Sequence, residues 1–170
     1  MPYFVKSVKP KLFTNAVFTT EFQRAVDSVA NDILLDYTAT TATWEHEVKF
    51  EKLTQVGPAS VELLVDTDDE IYKYVDLGTS PHPIRAKNAR TLAFHWAGPG
   101  SYRPKTQPRV LGSTAGGGVE GPMVFPVSVN HPGTKAREFS DTIQRKYKNI
   151  FKRKMEEAIK NGRSASGHAV

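Results

Sequence analysis

The stretch His131-Pro132-Gly133-Thr134-Lys135-Ala136-Arg137-Glu138-Phe139 decides how this chain leaves its last strand and enters its last helix. Pro132 presets φ near about −65° for the second position of a turn, and Gly133 supplies the positive φ of the third. Such a turn aims an incoming strand into an outgoing helix. Downstream, Phe139, Ile143, Tyr147, Ile150/Phe151, Ala158 and Ile159 keep a helical spacing, which predicts a helix from about Glu138 to Lys160. Asn161-Gly162 is expected to stop it. Arg145, Lys146, Lys148, Lys152, Arg153 and Lys154 occupy its other faces. Upstream, Pro122 to Val129 reads as a strand, with Met123, Phe125, Val127 and Val129 on one face and Val124 opposite. Pro126 marks that strand as an edge or a bulge.

A second short signature, Tyr74-Val75-Asp76-Leu77-Gly78-Thr79, lies earlier. Neither signature holds a nucleophile or a metal-ligand set, so Gly78, Thr79, His131, Pro132, Gly133 and Thr134 read first as structural turn residues. Ahead of both, Phe18, Phe22, Ala25/Val26, Val29, Ile33 and Tyr37 step by three and four over five turns, the stripe of an amphipathic helix. Thr14, Thr19 or Thr20 is the expected N-cap. The β-branched run Thr38 to Thr43 is expected to end it.

Trp44, His46, Val48 and Phe50 then alternate with Glu45, Glu47 and Lys49, which predicts a strand. Gly57-Pro58 punctuates the chain, Ala59 to Val65 is a second apolar run, and together they predict an antiparallel hairpin. Its end, Asp66 to Glu70, is acidic. It lacks the glycine and distal glutamate of a calcium loop and reads as a solvated end. Ile71 to Leu77 is a short strand or helical turn, Pro81 to Ile84 a stiff connector, and Thr91 to Ala97 another strand. The 25 residues Gly98 to Pro122 hold seven Gly and four Pro, too little apolar content to fold alone, so they read as a long insertion arm.

The resulting string predicts an α+β fold: an antiparallel β-sheet covered by an N-terminal and a C-terminal helix, with a long Gly/Pro-rich insertion. The expected organisation is one domain over residues 1–162, with the insertion arm at 98–122 and a flexible tail at 163–170.

The +5 formal charge is unevenly placed. Residues 1–134 carry 13 Lys/Arg against 14 Asp/Glu, and residues 135–170 carry 10 against 4, so the basic excess belongs to the last helix. Cysteine is absent, which excludes disulfides, cysteine zinc sites and thiol catalysis. No signal-type apolar run opens the chain and no segment approaches a membrane span, so no membrane association is expected.

No catalytic constellation emerges: neither a G-x-S-x-G, a Walker sequence nor a G-x-G-x-x-G is present. His46, His82, His95, His131 and His168 are scattered, and the spacing of His82, His95 and His131 matches no zinc motif. No catalytic, cofactor or metal residues are therefore assigned. Arg145, Lys148, Lys152 and Arg153, spaced by three, four and one, are the candidate contacts to DNA or to a partner. The plainer reading of that face is a solvated helix surface.

Taken in order, these pieces resemble a family of tailed-bacteriophage neck proteins, the small tail-completion or head–tail joining proteins. The resemblance rests on Tyr74 to Thr79, on the Leu92/Phe94 strand after a spacer, and on His131 to Arg137 before the last helix; it covers about residues 14–160. Glu138 stands where family members often have proline. The resemblance implies a non-enzymatic structural subunit of the virion neck, assembled in the host cytoplasm as a six- or twelve-fold ring. Its implied partners are itself, a head-side connector or adaptor, and a tail-side terminator or tail tube protein, with packaged DNA in the channel as a further contact. A competing reading is a nucleic-acid-binding accessory protein using the basic helix, and a second is a small metal-dependent hydrolase using the histidines and the Asp66–Glu70 cluster.

Overall fold

The computed structural model describes residues 7–8, 16–57, 60–102, 104–112 and 117–166. Its elements are β1 (Ser7–Val8), α1 (Ala16–Thr41), β2 (Glu51–Val56), β3 (Ser60–Asp66), α2 (Glu70–Leu77), β4 (His82–Arg85), β5 (Phe94–His95), β6 (Met123–Val124), β7 (Ser128–His131) and α3 (Phe139–Ala165). The fold is α+β, with long N- and C-terminal helices and antiparallel strands in three small sheets, ordered β1-β3-β2, β4-β7 and β5-β6. The chain divides into two compact units. The first holds residues 1–39, 46–68 and 140–170; the second holds 40–45 and 69–139.

The first unit is built by burial. Phe18, Phe22, Val26, Val29, Ala30, Ile33 and Tyr37 of α1 are buried, the stripe the spacing predicts. On α3 the buried positions include Ile143, Tyr147, Phe151, Met155 and Ala158. Met155 fills a gap that the sequence reading leaves between Phe151 and Ala158. Alternate β3 side chains, Val61, Leu63 and Val65, are buried as well. Polar bonds fix the sheet against α1: Thr54 Oγ1 donates to Asp27 Oδ1 at 2.6 Å, and Lys52 donates to Asn31. The hairpin pairs Glu51 with Asp66 through Val56 with Val61.

Several expectations shift. The alternating segment Trp44 to Phe50 is not a strand; the strand begins at Glu51. Exposure nevertheless alternates there, with Val48 buried and Glu45, Glu47 and Lys49 exposed, so the period of two reports which side chains face inward without a ladder beside them. Helix α1 continues through Thr41, three residues past Thr38, whose Oγ1 donates to Leu34 O at 2.8 Å. That back-bond to i−4 lets threonine stay helical. Thr19 and Thr20 lie inside the helix and are not N-caps, Thr20 Oγ1 donating to Ala16 O; Thr14 lies outside the described residues. Asn161-Gly162 does not end α3, which runs to Ala165. Gly162 is buried, and a Cβ there would collide with the Phe18 ring, so this glycine gives room for packing rather than a cap. Residues 163–165 of the expected tail are therefore helical, and 167–170 lie outside the described residues.

The Asp66–Glu70 cluster is a connector. Asp66 Oδ1 accepts from Thr67 N at 2.8 Å, and buried Thr67 donates to Lys49 O at 2.7 Å. Asp69 caps α2, its carboxylate accepting from Tyr72 N at 2.7 Å. Ile71 to Leu77 takes the helical alternative. The expected connector Pro81 to Ile84 supplies strand β4, with Pro83 opposite Asn130; a two-stranded ribbon leaves one side of each strand unpaired, which tolerates proline. The expected strand Pro122 to Val129 is split at Pro126 into β6 and β7.

Candidate functional site

The two glycine-threonine signatures, 55 residues apart, close on each other as one clasp inside the second unit. Thr79 and Thr134 form an antiparallel bridge, with Thr79 N to Thr134 O at 2.9 Å and Thr134 N to Thr79 O at 3.1 Å. Thr79 Oγ1 also accepts from Thr134 N at 2.9 Å. Both flanking glycines are required by this closeness. Gly78 has φ 77°, and a Cβ there would stand 2.6 Å from Thr134 O. Gly133 has the expected positive φ, 87°, and a Cβ there would strike Thr79 O. His131 closes β7 opposite His82, and Pro132 is exposed on the turn.

Beyond the bridge the end of α2 and the start of α3 satisfy one another. Arg137 N donates to Val75 O at 3.0 Å and to Asp76 O at 3.1 Å, and Glu138 N donates to Asp76 O at 3.0 Å. Asp76 is 4% exposed, and its Oδ1 accepts from Phe139 N at 2.5 Å. A carboxylate borrowed from α2 thus caps α3, at the end where the helix dipole favours negative charge. Glu138 stands before the helix with φ 56°, so it does not serve in the first turn as the sequence suggests. Its carboxylate meets Arg109 Nε at 2.5 Å, and this bond raises the Arg109 pKa. A positive φ on a non-glycine residue is strained, and the three backbone bonds at 137 and 138 hold it there.

The Gly98–Pro122 stretch does not stand off as a whole. Thr106 is 5% exposed and its hydroxyl accepts from Arg137 Nε at 3.2 Å, while Arg137 Nη1 donates to Lys135 O at 3.0 Å. Arg109 N donates to Arg137 O at 2.7 Å. Residues 106–109 are therefore stitched to the clasp: a buried guanidinium needs several acceptors, and Thr106 supplies one beside Lys135 O. Asp76, Thr106 and Arg137 are the residues that sequence reasoning passes over. Asp76 and Arg137 stand inside the two signatures, but a charge at a buried position has no periodic signal.

Helix α3 sorts its cations. Lys146 Nζ meets Asp36 Oδ2 at 2.5 Å, which raises the Lys146 pKa. Arg153 and Lys154 both approach Glu157 at 3.8 Å. Arg145, Lys148 and Lys152 are exposed, and among the described residues none has a carboxylate within ion-pair distance. Of the four candidate contacts, Arg153 thus shares Glu157, and the other three stand without a carboxylate neighbour among the described residues. Three-His zinc chemistry finds no support: His82 faces His131, His95 Nδ1 bonds Gly121 O at 2.8 Å, and no group of three potential ligands forms among the described residues. His46 is half-buried, and His168 lies outside the described residues. No described helix is long and apolar enough to cross a membrane.

No protein-family model matches the chain, and no curated protein or solved structure matches it either.

Proposed function

We propose that this chain is a structural subunit of a tailed-phage neck that works by assembling with copies of itself into a six- or twelve-fold ring, joining a head-side connector to a tail-side terminator or tail tube. It is placed in the virion after assembly in the host cytoplasm, and its work is mechanical rather than catalytic. The observation that carries the reading is where the apolar surface lies. Of twelve large apolar side chains left exposed among the described residues, ten belong to the second unit, including Met123, Phe125 and Val127 at every second position. Phe125 is 63% exposed and Val127 70%. Apolar surface concentrated in this way marks a protein–protein contact, and head-to-tail contacts that close make a ring. Electron-microscope images of the purified chain test this: closed rings of six or twelve are expected, and solitary small particles at every concentration would refute it.

A second reading, phosphate contact along α3, is favoured by the three unpaired cations. Each phosphate neutralised adds to the salt dependence of binding. Duplex DNA binding that weakens steeply with salt, and is lost in R145Q/K148Q/K152Q, is the expected result; equal binding by that variant removes the reading.

A further inference from the structure

We infer that the His82–His131 pair is a proton-sensitive latch on the clasp. The two histidines stand directly opposite one another in the β4–β7 register, with ring centroids 5.2 Å apart and planes inclined by 33°. Backbone fixes Nδ1 of each ring, in opposite senses. His82 Nδ1 lies 2.8 Å from Ser80 O; a carbonyl only accepts, so this Nδ1 carries hydrogen and donates. His131 Nδ1 accepts the Gly133 amide at 3.1 Å, so it carries none, and in the neutral ring the hydrogen is on Nε2.

A second proton on His131 has one place to go, Nδ1, the atom already facing Gly133 N–H. Two N–H groups cannot bond each other, so the Gly133 amide is released. A proton on His82 goes to Nε2 and leaves the Ser80 bond intact; it opposes closure only when His131 is charged as well. Protonation of His131 is therefore the event that disfavours the closed arrangement. The charged groups on the flanking elements do not offset it. Arg85, at the far end of β4, and Lys135, beyond the turn, are both cationic. Among the described residues no carboxylate stands within ion-pair distance of either ring.

The open state therefore binds more protons than the closed one, so acid favours opening. What opens is the turn that seats Gly133 against Thr79 and leads into residues 134–139, where α3 begins. The inference stands on the clasp alone and holds whether or not the chain forms a ring.

Solution NMR of the full chain, titrated from about pH 7.5 to about pH 5.5, tests it. The Gly133 amide signal is expected to titrate with the same midpoint as the His131 ring, and the exchange protection of Gly133 and Thr134 to fall several-fold over that range. His131→Asn places an amide oxygen where Nδ1 stood and takes no proton. In that variant the Gly133 amide should be indifferent to pH over the same range. A Gly133 amide that ignores His131 protonation in the wild type, or that still titrates in H131N, overturns the latch. Should H131N fail to fold, the wild-type comparison decides alone.

Discussion

In the unit formed by residues 1–39, 46–68 and 140–170, sixteen apolar side chains are buried among the described residues, whereas the unit formed by 40–45 and 69–139 buries two, Tyr72 and Phe139, and exposes ten large ones. The first unit is held by the removal of apolar surface from water, each fully buried side chain stabilising by roughly 1.5–3 kcal/mol. The second is held by hydrogen bonds converging on Asp76, Thr79, Thr134 and Arg137, each contributing a net of about 1 kcal/mol. One chain thus combines a body held by apolar burial with a unit shaped by backbone closure, whose large apolar side chains lie mostly exposed.

Breaking the first unit should have the largest effect. Ile33→Ala or Leu63→Ala, at fully buried positions, should each lower the free energy of unfolding by about 2–5 kcal/mol in urea titrations. Phe125→Ser in the second unit should change the unfolding of the isolated subunit by no more than about 0.5 kcal/mol. Equal losses at the two kinds of site would erase the contrast.

Breaking the clasp comes next. Asp76→Ala strips the cap from Phe139 N and should lower stability by about 1–3 kcal/mol, measured by chemical denaturation. Gly133→Val forces a β-branched residue to positive φ and against Thr79 O, at a cost of roughly 1–2 kcal/mol or more. An unchanged melting temperature in either variant would mean that the clasp does not hold the second unit. Deleting residues 101–119 should destabilise the subunit, because it removes Thr106 and Arg109 from Arg137; calorimetry of the deletion variant measures it.

The smallest effect concerns alkaline pH. Hydrogen bonding to Asp36 raises the Lys146 pKa, and burial raises that of Tyr147. A raised folded value means a contribution fully present below the ordinary lysine and tyrosine range and lost as the pH climbs through the raised values. Stability should therefore hold to about pH 9 and fall above about pH 10. Tyr147→Phe should flatten that fall, and Lys146→Gln should change stability at neutral pH by less than about 1 kcal/mol, as expected of a half-exposed ion pair. A fall that starts near neutrality would assign the loss to other groups.

What was legible in the sequence follows the same division. The buried stripes of α1 and α3 repeat every three or four residues, so Phe18 to Tyr37 and Ile143 to Ala158 announce themselves. The turn at Gly133 is legible because Pro-Gly admits few backbone states. The β4–β7 ribbon was legible only in part: Pro122 to Val129 reads as a strand, but Pro81 to Ile84 reads as a connector, and Val129, the partner of Ile84, is reached only through a long loop closure. Asp76 stands in one signature and Arg137 in the other, yet their burial depends on which segments meet, and a signature read alone carries no information about that. Gly162 misled for a related reason: glycine at a helix end and glycine against an aromatic ring look alike until Phe18 is placed beside it.

We propose above that the apolar surface of the second unit is an assembly surface for further copies of this chain. Sedimentation velocity of the purified protein, beside Met123→Ser/Phe125→Ser/Val127→Ser, tests it most directly. The wild type should sediment as one closed oligomer that persists on dilution, and the triple variant as a monomer with unchanged circular dichroism. A wild type that stays monomeric at every concentration, or a triple variant that still assembles, would contradict the account.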